Sequence, residues 1–544
     1  MLFNSYPFIF VFLPVTFFGA YLCGRLGQQY VVWWLVLASL FFYAYWNPPF
    51  VMLLLASAIF NYCVAQWLER AVANQQDQRK KYLLILAVFA NLGLLGYFKY
   101  TNFFLGSFYQ LQGLNFSPLA IVLPLGISFF TFTQLAFLVD TSQGITTERS
   151  FSRYLLFVTF FPHLIAGPLI HHKQMMPQFA DAGNYRISPI NISIGLTIFV
   201  FGLAKKIFIA DNFGEIADPV FSAVQSGENV QFFEAWVGIL AYTLQLYFDF
   251  SAYSEMAIGL SLLFNIRMPL NFNSPCKSQS IIDFWQRWHM TLTKYIGDYI
   301  YNPIAMYFMR REFGRSKFKV IIYTLVLPTL ITFVLAGLWH GANWTYLMFG
   351  TTHGVYLVIN HLWRQYKKHK GWVHESIFYQ RAACLLTYVS VVFAFVFFRS
   401  NSMATALEIQ KTMIGLGGIS LPSTFADFVP AFVSQSPGVS VSFNGIFPGG
   451  LFKISHLDIF LLLIFGHIVV WAMPNIHQLL CRYSIVTQDM TAKAMKNRAT
   501  PGRLFSYLVW KPTAIWAFSA GILLFAVVLS LATLKPSVFL YYQF

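Results

Sequence analysis

Apolar runs of helix-spanning length recur along the whole chain, and they limit the fold more than any other feature. A helix needs about 20 mainly apolar residues to cross a bilayer. Such runs fall near 7–24, 30–46, 49–66, 82–98, 118–138, 190–208, 232–250, 319–338, 344–363, 381–398, 457–474 and 514–534, with shorter pieces at 154–170 and 252–266. Only 10% of the 544 residues are charged and 57% are hydrophobic, where a soluble chain carries about a quarter charged. Too little polar surface remains to face water. The expectation is an all-α polytopic membrane protein of about 11 to 13 spans, with the lipid bilayer as its first partner.

The formal charge of +16 does not point to nucleic acid, because Lys and Arg of membrane proteins collect in cytoplasmic loops. Cys23, Cys63, Cys276, Cys384 and Cys481 are scattered and form no CxxC pair, so no disulfide framework is expected. The opening "MLFNSYPFIFVFLPVTFFGAYLCGR" lacks a basic n-region and a small-residue cleavage site, and reads as a retained first span.

Charge also gives an orientation. Arg25, then Arg70, Arg79, Lys80 and Lys81, then Arg364, Lys367, Lys368 and Lys370 follow alternate spans. Arg482, Lys493, Lys496, Arg498, Arg503 and Lys511 precede the last one. The intervening segments are poor in basic residues: 99–117 has Lys99 alone, and 399–456 has Arg399, Lys411 and Lys453. Basic loops stay cytoplasmic, so the N-terminus and the 399–456 loop are expected outside. Residues 1–410 then form a membrane core, 411–456 an outer loop and 457–544 C-terminal spans with a basic loop. The span at 319–338 runs outward, which puts His340 toward the outer half.

Two segments break the pattern. "FFPHLIAGPLIHHKQMMPQF" (160–179) places Pro162, Gly167, Pro168 and Pro177 among three histidines. Broken backbone at membrane depth survives only inside protein or beside a water-filled cavity, so a re-entrant segment is expected. The stretch 267–318 is too polar to span and too aromatic for a free loop. Amphipathic helices on the cytoplasmic face are expected there.

Chemistry concentrates in "LQLYFDFSAYSEMAIGL" (244–260), "IIDFWQRWHMTL" (281–292) and "GLWHGANWTYLMFGTTHG" (337–354). An ionisable residue in a span is a functional hypothesis by default, although a buried side chain satisfied by a neighbouring helix is the plainer reading of each cluster alone. His163, His171 and His172 lack HExxH spacing and Cys partners, and His340 and His353 are separated by a turn, so no metal site is expected. There is no GxSxG elbow for a serine nucleophile. Asp249 and Glu255, six residues apart, do not share a helix face as a proton relay would require. General-base chemistry fits better. A neutral histidine can take a proton from an attacking hydroxyl and return it to a leaving group. A tryptophan wall keeps water from an activated acyl donor, and Asn343, Thr345 or Tyr346 can offer hydrogen bonds to an oxyanion.

"DFWQRWHMTLTKYIGDYIYNP" followed by "AGLWHGANWTYLMFGTTHG" resembles the membrane-bound O-acyltransferase family. The likeness extends to its bacterial branch with the alginate, cellulose and peptidoglycan acetylation membrane subunits and the D-alanyl transfer protein of teichoic acids. "LPLGISFFTFTQLAFLVD", "FPHLIAGPL", "LQLYFDFSAYSEMAIGL" and "VFAFVFFRSNSMATALEI" match in the same order, so the resemblance reaches about residue 410. It implies a ring of tilted helices around a central funnel. His340 takes the place of the family's invariant histidine and His289 that of its helix-borne second one. An acyl group, acetyl in the polysaccharide-modifying branch, arrives from the cytoplasm, and an acceptor hydroxyl from outside. A periplasmic SGNH-type protein completes transfer to the glycan. In place of the LGGNRxG stretch of alginate-type relatives this chain has "YIYNPIAMYFMRREFGRSK", which leaves the polymer open.

The expectation is thus a bacterial inner-membrane O-acetyltransferase, with His340 as general base or acyl relay and His289 assisting. Asp283, Trp285, Arg287, Trp288 and Trp339 would shape the funnel, Arg287 pairing with Asp283 at i,i+4 spacing or meeting donor phosphate. Asn343 is an orienting or oxyanion group, while Tyr247, Asp249 and Glu255 are either catalytic or structural. Acetyl-CoA or another acetyl thioester is the expected donor, with no permanently bound cofactor. The rival from another class is a transporter that flips an acylated carrier or glycan without chemistry. It would show repeat symmetry between halves, and none is visible. A structural scaffold for a secretion complex would leave His289 and His340 replaceable.

Overall fold

The computed structural model describes all residues except 147, 313–315, 373–375, 427–439, 488–502, 534–536 and 541–544. Lys493, Lys496, Arg498 and residues 427–439 of the expected outer loop therefore lie outside the described residues. The apolar runs all become helices: α1 (Pro7–Leu26), α2 (Gln28–Ala44), α3 (Pro49–Ala73), α4 (Asp77–Leu111) and α5 (Ile127–Ser142). The short α6 (Phe151–Thr159) and α7 (His172–Ala180) precede α8 (Pro189–Gln225) and α9 (Phe232–Leu262). Then come α10 (Ile281–Trp285), α11 (Met290–Ile296), α12 (Asn302–Glu312), α13 (Phe318–His340), α14 (Trp344–His369), α15 (Ile377–Arg399), α16 (Met403–Met413), α17 (His456–Ala472) and α18 (Ala514–Thr533). Strand is confined, among the described residues, to a two-residue parallel pair, Ile419–Ser420 with Val441–Ser442, and one isolated bridge.

Seven of the described helices are long and apolar enough to cross a membrane: α1, α3, α4, α8, α13, α15 and α18. α2 and α17 are apolar but shorter. In α18, Ile515 and Phe518 stand more than 70% exposed, a surface suited to lipid and not to water. The chain is an all-α polytopic membrane protein.

Several boundaries differ from the sequence reading. The run at 118–138 becomes helical only at Ile127, because Pro118 and Pro124 lack amide donors and disfavour helix in the residues before them. The runs at 232–250 and 252–266 fuse into one 31-residue helix. The segment after α6 leaves the helix at Phe160, and residues 161–170 are all buried in protein, as a broken backbone requires. Within 267–318 the part at 281–292 is not a surface helix: Trp285, Trp288, His289 and Leu292 are buried, whereas further along Tyr307 and Phe318 are exposed.

The helices gather into two compact units that interleave along the chain. One comprises Met1–Ala204, Phe250–Asn271 and Pro474–Phe544; the other comprises Lys205–Asp249 and Phe272–Met473. The first has a core of Phe3, Phe8, Phe12, Phe42 and Phe161 rings. Polar side chains there find internal partners, as hydrocarbon surroundings demand. Asn61 donates to Asn91 and to Gln134, both at 3.1 Å, and the Tyr154 hydroxyl donates to Gln134 at 3.0 Å. In the second unit α13 and α14 form a hairpin so tight that a Cβ at Gly337 would overlap the Tyr346 carbonyl, and one at Gly350 the Phe333 carbonyl. Small residues let two backbones touch in this way.

Candidate active site

Every residue proposed for catalysis or for the funnel lies in the second unit, except Glu255. His340 is the last residue of α13, and Gly341 leaves the helix in an extended conformation. Asn343 then starts α14. Its Oδ1 accepts from the Thr345 amide at 3.1 Å, and its Nδ2 donates to the Asn401 carbonyl at 2.9 Å. Asn343 thus fixes the turn that carries His340. The imidazole of His340 is 6% exposed. It is walled by Trp339, Phe398 and Phe349, at ring-centre distances of 4.9, 5.2 and 6.1 Å.

His289 arrives from a different element. It sits between α10 and α11 in the left-handed region, φ 43° and ψ 50°, and not on a helix as expected. A non-glycine residue held there costs roughly 1–3 kcal/mol and persists only where its surroundings dictate it, often at functional sites. The side chain is fully buried. Its ring lies 6.3 Å from that of His340 and 6.0 Å from that of Trp339.

The residues around His289 are mutually anchored. Ser280 caps α10, its hydroxyl accepting from the Asp283 amide at 3.1 Å. Asp283 Oδ1 takes the Arg287 Nε at 2.9 Å, the expected i,i+4 pair. Arg287 also closes a loop, since its carbonyl accepts from the Asn273 amide at 2.9 Å. Trp288 stacks on Phe284 at 5.6 Å and lies 6.3 Å from Tyr247. A small cavity of about 10 Å³ borders Thr243, Tyr247, Cys276, Phe284, Trp288 and Phe395. It holds no more than a water molecule.

Two groups were missed in the sequence. His353, one turn beyond Phe349 on α14, is fully buried; its Nδ1 accepts from the Trp285 indole at 3.3 Å. Its Nε2 has no hydrogen-bond partner, and Phe349, 4.7 Å away, stands between it and His340. His353 is visible in "GTTHG", where spacing alone offers it only as a metal ligand. Lys206 was missed altogether. Its ammonium reaches Asp249 at 2.6 Å and Asp211 at 2.8 Å, with Lys206 and Asp249 both buried. Asp249 is therefore half of a buried ion pair. Glu255 lies further along α9 in the first unit, 8% exposed.

The arrangement places two buried imidazoles from separate elements against one tryptophan, in surroundings that exclude water. Such a site suits proton transfer during attack of a hydroxyl on an activated acyl group.

The comparisons with known proteins agree with this chemistry. The model of the membrane-bound O-acyltransferase family matches residues 34–405. A peptidoglycan O-acetyltransferase of Helicobacter pylori is 41% identical over 448 residues, covering 77% of this chain and 81% of that protein. A probable alginate O-acetylase of Pseudomonas aeruginosa is 36% identical over 423 residues, covering 77% of this chain and 75% of that protein. A teichoic acid D-alanyltransferase of Streptococcus thermophilus is 30% identical over 246 residues, covering 45% and 58% respectively. The chain belongs to the membrane-bound O-acyltransferase family.

Proposed function

We propose that this acyltransferase carries acetyl groups across a bacterial inner membrane for O-acetylation of a cell-envelope or secreted polysaccharide. The observation that carries the reading is the meeting of His289 and His340 beside Trp339 in a buried aromatic site. The peptidoglycan and alginate relatives support a polysaccharide as final acceptor.

In this reading an acetyl thioester, acetyl-CoA or a carrier-bound equivalent, enters from the cytoplasmic face. His340 removes the proton from an acceptor hydroxyl as its oxygen attacks the acetyl carbonyl. The C–S bond then breaks, and the same proton returns to the departing thiolate, giving an acetyl ester and a free thiol. His289 orients or relays the proton. Trp285, Trp288 and Trp339 exclude water that would otherwise hydrolyse the thioester. Asn343 holds the turn and offers its remaining amide hydrogen to the oxyanion. The acceptor is either the glycan or a hydroxyl of a periplasmic SGNH-type partner, with the N-terminus and the 399–456 loop on the periplasmic side.

The test is reconstitution of the purified protein in vesicles with radiolabelled acetyl-CoA supplied on one side. Label passed as an ester to an added glycan acceptor, in proportion to protein, supports the reading, and label released only as free acetate would contradict it. Label that crosses still attached to CoA would identify a transporter.

A further inference from the structure

Away from the acyl-transfer site, in the first unit, three potential ligands converge. Asp140 lies in the last turn of α5; His171 caps α7 and His172 begins it. Asp140 Oδ2 is 3.4 Å from His172 Nε2 and 3.5 Å from His171 Nε2, and one ligand atom from each residue fits within 4.8 Å of the others. Asp140 is 4% exposed and His172 1%. Neither Asp140 Oδ2 nor either ring nitrogen of His172 makes a hydrogen bond. Buried polar atoms left in this state are costly and ask for an explanation, an ion being one.

The spacing indicates which ion. Zinc binds nitrogen and carboxylate oxygen at about 2.0–2.2 Å in tetrahedral geometry, so its ligand atoms stand about 3.4 Å apart. That is the separation found on both sides of Asp140 Oδ2. We propose that Asp140, His171 and His172 hold a zinc ion, with a water as fourth ligand. The donor set of two imidazoles and a carboxylate suits zinc, and the C-terminal end of α5 favours a cation beside Asp140. Phe137 and Phe157, with ring centres 5.4 and 6.3 Å from that of His172, wall the site on its apolar side. The ion would pin the end of the buried break at 160–170 to α5.

Two neighbours bear on the proposal. Lys173 Nζ is 3.4 Å from Asp140 Oδ2, but its side chain is 47% exposed. It also lines an open cavity of about 260 Å³ with Gln174, Gln178 and Arg267. Its ammonium competes with a metal and has room to withdraw. His171 Nδ1 accepts from the Lys173 amide at 3.3 Å. Coordination through Nε2 puts the proton on Nδ1 and opens that long bond.

The test uses the full-length protein purified without a polyhistidine tag, stripped with a chelator and titrated with Co²⁺. Wild type is expected to bind one cobalt per chain with the intense visible bands of four-coordinate cobalt, and zinc should displace it. Asp140→Asn and His172→Gln should lose both signals. His171→Ala, at a more exposed position, should lose the bands without loss of fold, checked by thermal melting. Lys173→Ala should bind at least as tightly as wild type. Absence of binding in wild type, binding that survives His172→Gln, or weaker binding in Lys173→Ala would each overturn the site. None of these outcomes depends on acyl transfer.

Discussion

The imidazoles of His289 and His340, far apart in sequence, lie with ring centres 6.3 Å apart against the indole of Trp339. His289 reaches this position only through a left-handed backbone. Its backbone and side-chain roles can therefore be separated. Asparagine tolerates that conformation but supplies no base. His289→Asn should accumulate in membranes near the wild-type level and lose about 10²-fold or more in acyl transfer, the usual scale for a general acid–base group. Turnover per mole of purified protein checks this, and full activity would reduce His289 to packing.

Trp285 and His353 give a second prediction. Trp285→Phe leaves a smaller ring in place and removes the indole donor at 3.3 Å from His353 Nδ1. A lost hydrogen bond that leaves a buried acceptor unsatisfied costs about 1–3 kcal/mol. The melting temperature of the purified variant should fall accordingly, with activity reduced through loosened aromatic packing. His353→Ala should be worse, because it opens a cavity among Phe284, Trp285 and Phe349.

The α13–α14 hairpin makes a third. Gly337→Ala and Gly350→Ala each drive a methyl group into a backbone carbonyl of the facing helix. Overpacking of this kind typically costs about 1–3 kcal/mol and shifts backbone, and His340 is at the end of the displaced helix. Both variants should lower membrane abundance and activity together. Gly93→Ala, which meets nothing within 4 Å, should be silent in the same assays.

Lys206 allows a fourth. Lys206→Met leaves Asp249 buried without its cation, and breaking a buried pair costs about 3–5 kcal/mol. Little protein should accumulate. Adding Asp249→Leu should recover part of it, measured as folded protein extracted by detergent. A double variant no better than the single would show that Asp249 does more than answer Lys206.

The spans were legible because length and apolar content largely decide them: the runs of about 20 apolar residues are helical here, the part of 118–138 before Ile127 excepted. The errors sit where tertiary packing overrides pattern. Pro118 and Pro124 delay α5, and the aromatic residues of 281–292 that read as a membrane surface are buried in a core. In the site, the Asp283–Arg287 pair followed from helical spacing, whereas Lys206–Asp249 and Trp285–His353 join elements distant in sequence. No spacing rule reaches such pairs. The resemblance placed His289 on a helix; nothing in "RWHM" marks a positive φ.

The central claim is that His340 carries the chemistry. Acetyl content of the cell-envelope and secreted glycans, measured in cells that depend on His340→Ala with its membrane level matched to wild type, tests this most directly. The account predicts acetylation abolished at normal protein level, with Asn343→Ala less severe because it acts through the turn. Normal acetylation in His340→Ala would contradict it.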